Sequence, residues 1–203
     1  MRRHFINTAF AALVAVIAFG FVANTAKTTY TVDTTASKVM WKAAKVTGEH
    51  SGTVNLSEGS FDFDGEAFVG GSFTVDMTSI SDTDIESAEY RAKLDGHLKS
   101  ADFFNVEEFP TAKLDVKRVI PYGKPGEYRV VGDITIKGTT KEVKFNASVM
   151  PEGASLKAKA ELELDRTDFD VRYGSGSFFE NLGDKTIYDE FTLTFEVVAN
   201  QAG

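Results

Sequence analysis

The sequence predicts an all-β domain, a closed antiparallel barrel or a sandwich, behind a hydrophobic leader. Three observations carry this. Apolar and polar residues alternate throughout the second half of the chain, so each strand has one greasy and one wet face. Hairpin-type turn signals separate the alternating runs. The 17 phenylalanines supply enough large apolar area to fill a shared interior.

The chain opens Met1-Arg2-Arg3-His4, followed by an apolar run from about Phe5 to Ala23 broken only by Asn7 and Thr8. Small residues close it in Ala23-Asn24-Thr25-Ala26. A charged start, an apolar core and a small-residue exit read as a signal peptide over residues 1–26 and predict a periplasmic or secreted protein. An uncleaved anchor is the rival reading, since a spanning helix needs about 20 apolar residues. With no cysteine, a lipid-modified cysteine, disulfides and thiolate chemistry are all excluded. The remaining residues, 27–203, suit one domain. Removing Arg2 and Arg3 leaves 20 basic against 30 acidic residues, a net charge near −10. Such a domain does not attract nucleic acid by bulk charge.

Tyr30 to Asp33 reads as a first strand, and Ser37 to Val46 as a second with Val39, Trp41 and Ala43 on one face. Ser51 to Leu56 continues as strand, and Ser57-Glu58-Gly59 reads as a turn. Ser60 to Asp64 alternates around Phe61 and Phe63, and Asp64-Gly65 marks a tight hairpin. Ala67 to Met77 carries Phe73, Val75 and Met77 on one face, with Gly70-Gly71 marking a bulge or bend. The beat then turns helical. Tyr90, Leu94 and Leu98 recur every four residues in an insertion over about 84–104, with Asp82 or Asp84 as its expected cap and Glu86 in its first turn.

Alternation resumes at Thr111. It runs through Ala112/Leu114/Val116, Tyr128/Val130, Ile134/Ile136, Val143/Phe145/Ala147/Val149, Ala158/Ala160/Leu162/Leu164 and Phe191/Leu193/Phe195/Val197. Residues 121–126, 137–140 and 151–153 read as turns. Asp168 to Asp184 is glycine-rich and aromatic, and reads as an ordered loop across one end.

Little in the chain points to catalysis or metal binding. His50 and His97 are the two histidines beyond the leader, and no tight His–carboxylate spacing accompanies them. Asp82-Thr83-Asp84-Ile85-Glu86 resembles the start of a calcium loop, but Ser87 stands where that loop needs glycine. Gly174-Ser175-Gly176-Ser177 lacks the third glycine of a dinucleotide fingerprint. Glu107-Glu108 and Asp168/Asp170 read as solvated loop charge. The densest cluster is Gly96-His97-Leu98-Lys99-Ser100-Ala101-Asp102-Phe103-Phe104. It reads either as a helix end whose aromatics plug the barrel, or as a polar group at a cavity mouth that holds a ligand's headgroup.

Several motifs occur in order: Tyr30-Thr31-Val32-Asp33 with Ser37-Lys38-Val39, then His97 to Phe104, Phe109-Pro110-Thr111-Ala112, Val131 to Lys141, and Asp165-Arg166-Thr167-Asp168-Phe169. From Tyr30 to about Val198 the chain resembles the YceI-like family of exported, lipocalin-like polyisoprenoid-binding proteins. The resemblance implies an extended eight-stranded antiparallel barrel whose interior holds an isoprenoid lipid or quinone-like tail, with no other cofactor. Glu49-His50-Ser51-Gly52 and the segment Tyr173 to Asp189 depart from commoner members.

The expected interior residues are Val39, Trp41, Phe73, Val75, Leu114, Ile134, Phe145, Ala147, Ala158, Leu162, Phe191 and Phe195. The expected headgroup or mouth residues are His97, Asp102, Phe103 and Phe104. The leading expectation is a lipid carrier, not an enzyme, with no nucleic acid partner and room for transient contact with a membrane or membrane protein. Two alternatives stand beside it: an enzyme using His97, Asp102 or Asp95 in acid–base roles, and a ligand-free structural module.

Overall fold

A computed structural model describes residues 26–202. The predicted leader therefore lies almost wholly outside the described residues. Among these residues nine strands form one antiparallel sheet: β1 (Lys27–Val32), β2 (Lys38–Lys45), β3 (Gly48–Asp64), β4 (Ala67–Asp82), β5 (Thr111–Pro121), β6 (Glu127–Ile136), β7 (Thr139–Glu152), β8 (Ser155–Asp165) and β9 (Ile187–Gln201). A helix, α1 (Ala88–Lys99), is inserted between β4 and β5.

Nine strands make an eight-stave barrel because β1 and β2 share one stave. β1 pairs with the far half of β3 and the end of β9, while β2 pairs with the near half of β3 and the start of β9. Both are antiparallel to the same neighbours, so they run end to end and close the sheet between β3 and β9. The jog between them is held by Asp33 and Ser37. The Asp33 carboxylate accepts from the Thr35 hydroxyl at 2.7 Å and from the backbone N–H groups of Ala36 and Thr35. These bonds hold it below the usual carboxylate range. Ser37 Oγ donates to the Asp33 carbonyl and accepts from Val198 N on β9, fixing the jog to the closing strand.

The registers put inward residues opposite inward residues. Val39 faces Phe195, Trp41 faces Leu193 and Phe73 faces Leu114. Leu114 in turn faces Ile134, and Ala160 faces Phe195. The end of the barrel near β1 is filled by an aromatic cluster. Tyr30 packs edge-on against Phe63, Phe61 against Phe73, and Phe68 against Tyr128, with centroids 4.9–5.5 Å apart. Edge-to-face pairs of this kind add to the burial of the rings themselves.

Several expectations are corrected. Ser57-Glu58-Gly59 is not a turn: β3 runs unbroken from Gly48 to Asp64, and the register shift between Leu56 and Glu58 is a bulge that bends the strand. The helix is shorter than the predicted 84–104, since residues 100–109 fold as successive turns. Its cap is Ser87, which accepts from Tyr90 N, and its first-turn acid is Glu89. Asp82 instead accepts from the N–H groups of Asp84 and Ile85 in the connection before the helix.

Gly52 marks the closest packing of one strand on its neighbours. A Cβ there would collide with the Ser81 carbonyl and the Trp41 ring. Gly52→Ala is expected to destabilise the fold by about 1–3 kcal/mol. Denaturant unfolding checks this, and a loss below about 0.5 kcal/mol would contradict the close approach.

Candidate functional site

Among the described residues, three adjoining cavities lie within the barrel. The largest, about 570 Å³, lies at the mouth beneath α1 and the 173–187 segment, lined by residues including Trp41, His50, His97, Phe103, Tyr173 and Ile187. The second, about 110 Å³, lies below it among Val39, Val54, Phe73, Phe104, Ile134 and Phe191. The third, about 40 Å³, is deepest and is walled by Phe61, Phe145, Ala147, Ala158 and Leu162.

Shared walls join them. Trp41, Ala43, Leu98, Phe103 and Ile187 border the first two, and Phe73, Leu114 and Phe195 border the last two. The accessible walls of the two deeper cavities are wholly apolar. The bore is thus neither an open tube nor a solid core, but is pinched at two rings of side chains.

All twelve interior residues predicted from the alternation line the two deeper cavities. The mouth residues divide. His97 lines the mouth, Phe103 lines both mouth and middle, and Phe104 lines the middle cavity. Asp102 lines none of the three and points outward, its side chain 65% exposed and its Oδ2 3.7 Å from His97 Nε2. Asp95, the other acid considered for catalysis, accepts from Ser81 Oγ at 2.8 Å and Asp82 N at 2.7 Å. His97 and Asp102 thus stand side by side with Asp102 facing solvent, while Asp95 is taken up by Ser81 and Asp82.

His97 is instead part of an aromatic cluster. Its ring stands edge-on to Phe103 at 4.8 Å and to Tyr173 at 4.6 Å. This contact joins the end of α1 to the loop that crosses the mouth.

That loop is held by a residue the sequence reading named only within a motif. Arg166 follows β8 and is 5% exposed. Its guanidinium donates to the carbonyls of Val171, Tyr173, Ile187 and Tyr188, and to Asp189 Oδ1 at 3.1 Å. Asp189 Oδ2 also accepts from Ser175 and Ser177. Burial pulls the guanidinium below its ordinary value, and Asp189 and Asp165 pull it back. The only hint in the sequence is an arginine placed just after an alternating run.

Trp41 carries a second unexpected feature. Its indole N–H is buried without a hydrogen-bond acceptor among the described residues, in a side chain that borders both the mouth and middle cavities.

The profile of the YceI-like domain matches residues 30–199. This chain belongs to that family. A UPF0312 protein of Photorhabdus laumondii subsp. laumondii is 34% identical over 134 residues, 62% of this chain and 66% of that protein. Protein YceI of Escherichia coli O157:H7 is 30% identical over 135 residues, 62% of this chain and 65% of that protein. The chain thus spans about two thirds of the length of these relatives.

Among solved structures, Burkholderia cenocepacia BcnA superposes with a TM-score of 0.68 at 24% identity, covering 83% of this chain and 99% of BcnA. A polyisoprenoid binding domain from Saccharophagus degradans gives 0.63 at 14% identity, covering 85% and 98%. At these identities the likeness shows the shared barrel fold.

Arg166→Met is expected to release the loop while sparing the barrel. It removes five hydrogen bonds and leaves Asp189 without its cation, a loss of about 3–5 kcal/mol if the pair behaves as buried pairs do. Hydrogen exchange should quicken in residues 171–189 and stay slow in β5–β7. Unchanged protection across 171–189 would contradict the role given to Arg166.

Proposed function

We propose that this protein holds one long apolar lipid of the isoprenoid class, with its tail in the bore and its polar end at the mouth. The observation that carries this reading is the line of three cavities, apolar below and mixed at the top. The Saccharophagus degradans domain of the same fold is itself a polyisoprenoid binder, which favours the same ligand class here. The mouth cavity falls within the size range of small-molecule sites. An engineered apolar cavity of about 150 Å³ holds benzene, so the middle cavity takes about one five-carbon unit as it stands.

A longer tail has to part the ring of Phe73, Leu114 and Phe195. The energetics allow it. Each isoprene unit contributes roughly 3 kcal/mol on burial before ordering costs, and overpacking strain is about 1–3 kcal/mol. A few units then suffice for micromolar binding. A ligand with an acceptor near its head would also satisfy the Trp41 N–H, whose burial unpaired costs about 1–3 kcal/mol.

The role that follows is carriage or sequestration, not catalysis, in the periplasm or outside the cell as the leader implies. Asp102 faces solvent beside His97, and Asp95 is bonded to Ser81 and Asp82, which favours a binding protein over an enzyme.

Native purification, organic extraction and mass spectrometry are expected to recover an isoprenoid lipid or quinone near one equivalent. Ala158→Trp, which fills the deepest cavity, is expected to cut the recovered long-chain lipid at least tenfold while the protein still folds. A dry wild-type protein that also fails to take up added isoprenoids would contradict the proposal.

A further inference from the structure

We propose that His50, Asp82 and Asp84 bind one divalent transition cation of the zinc class, which clamps β3 to the connection between β4 and α1. The three residues meet at the rim of the mouth, with His50 brought in from a different strand. His50 Nδ1 is 3.0 Å from Asp84 Oδ1 and 3.7 Å from Asp82 Oδ2. The three donor atoms all lie within 4.8 Å of one another. Ligands about 2.0–2.2 Å from a zinc ion sit roughly 3.0–3.6 Å apart, so only small side-chain movements are needed.

Asp82 supplies an independent reason to place a ligand there. The residue is 2% exposed, and its Oδ2 is buried without a hydrogen-bond donor among the described residues. Its Oδ1 is occupied by the N–H groups of Asp84 and Ile85 at 3.2 and 2.8 Å, which fix the carboxylate with Oδ2 toward His50. A buried carboxylate oxygen with no donor is costly unless a cation meets it.

The neighbours complete the arrangement. Asp84 Oδ2 accepts from Ser51 N at 2.6 Å, leaving Oδ1 facing the imidazole. Asp95 holds the backbone N–H of Asp82 and the hydroxyl of Ser81. Such outer hydrogen bonds orient metal ligands and are a regular part of metal sites.

The donor set also narrows the ion. Two carboxylates balance a divalent charge, and an imidazole favours zinc-like cations over calcium or magnesium, which prefer all-oxygen sites. The calcium-like spelling of 82–86 therefore marks two of the right residues for a different ion, with the third ligand on another strand. A rival account pairs a protonated His50 with both carboxylates and needs no metal. His50 also lines the mouth cavity, so the cation would sit beside the polar end of whatever fills the bore.

The test titrates untagged, EDTA-stripped protein with Zn²⁺ by calorimetry. One saturable equivalent is expected. His50→Gln and Asp82→Asn should each weaken it at least tenfold, whereas His97→Ala, which removes the other histidine beyond the leader, should not. The Asp82→Asn change keeps an Oδ1 acceptor for the N–H groups of Asp84 and Ile85, and matching unfolding midpoints without metal confirm intact folds. If either variant misfolds, the imidazole NMR signals of the wild-type protein decide: Zn²⁺ should shift those of His50 and leave those of His97. No saturable binding, binding unaffected by both variants, or movement of His97 alone would each overturn the proposal.

Discussion

Everything in this molecule depends on how wide a ring of eight antiparallel staves can be. Such a barrel is at the boundary where side chains either fill the lumen or leave room for one slender ligand. Residue size along the inner face therefore decides between core and container. At the end near β1, Tyr30, Phe61, Phe63 and Phe68 interlock and close the tube. Along the rest of the bore, Ala43 near the mouth, Ala112 in the middle and Ala147, Ala158 and Ala160 in the deepest cavity lie between large side chains and leave gaps. The hollow is a consequence of unequal volumes on a pattern that is uniformly apolar.

Closure itself comes at a modest local cost. The first stave is broken at Asp33–Ser37, and the break is stabilised by a compact set of hydrogen bonds tied to β9. Without that anchoring, β1 and β2 could not both bridge β3 and β9, and the sheet would retain two free edges. At the other end, a single buried arginine gathers four carbonyls and a carboxylate, so a loop with only short 3-10 turns is held over the mouth. His97 links this loop to the helix through Tyr173. Access to the bore is thus set by irregular elements, and its capacity by regular ones.

The strands and their inward faces were legible in the sequence because side-chain alternation has a fixed period and needs no knowledge of the partner strand. The same rule could not show that two short strands share one stave, since closure is a long-range property. Ser57-Glu58-Gly59 reads as a turn by composition, yet the pairing of β3 with both neighbours overrides that local signal. Asp82 and Asp84 read as helix caps, but Ser87 is the nearer group and takes that role. His50 sits far from Asp82 along the chain, so no spacing rule brings them together. The outward position of Asp102 and the hold of Arg166 on four carbonyls likewise depend on loop paths that local patterns do not encode.

The central claim is that an apolar chain can enter the bore past Trp41 by parting the rings below it. Trp41 is the chain's single tryptophan, so its fluorescence reports on that narrowing alone. The most direct measurement is quenching of Trp41 emission in delipidated protein by a brominated prenyl chain. The account predicts quenching that saturates at one equivalent and is reversed by an unbrominated isoprenoid. Emission that stays unquenched, or that falls without saturation as the lipid merely partitions, would contradict it.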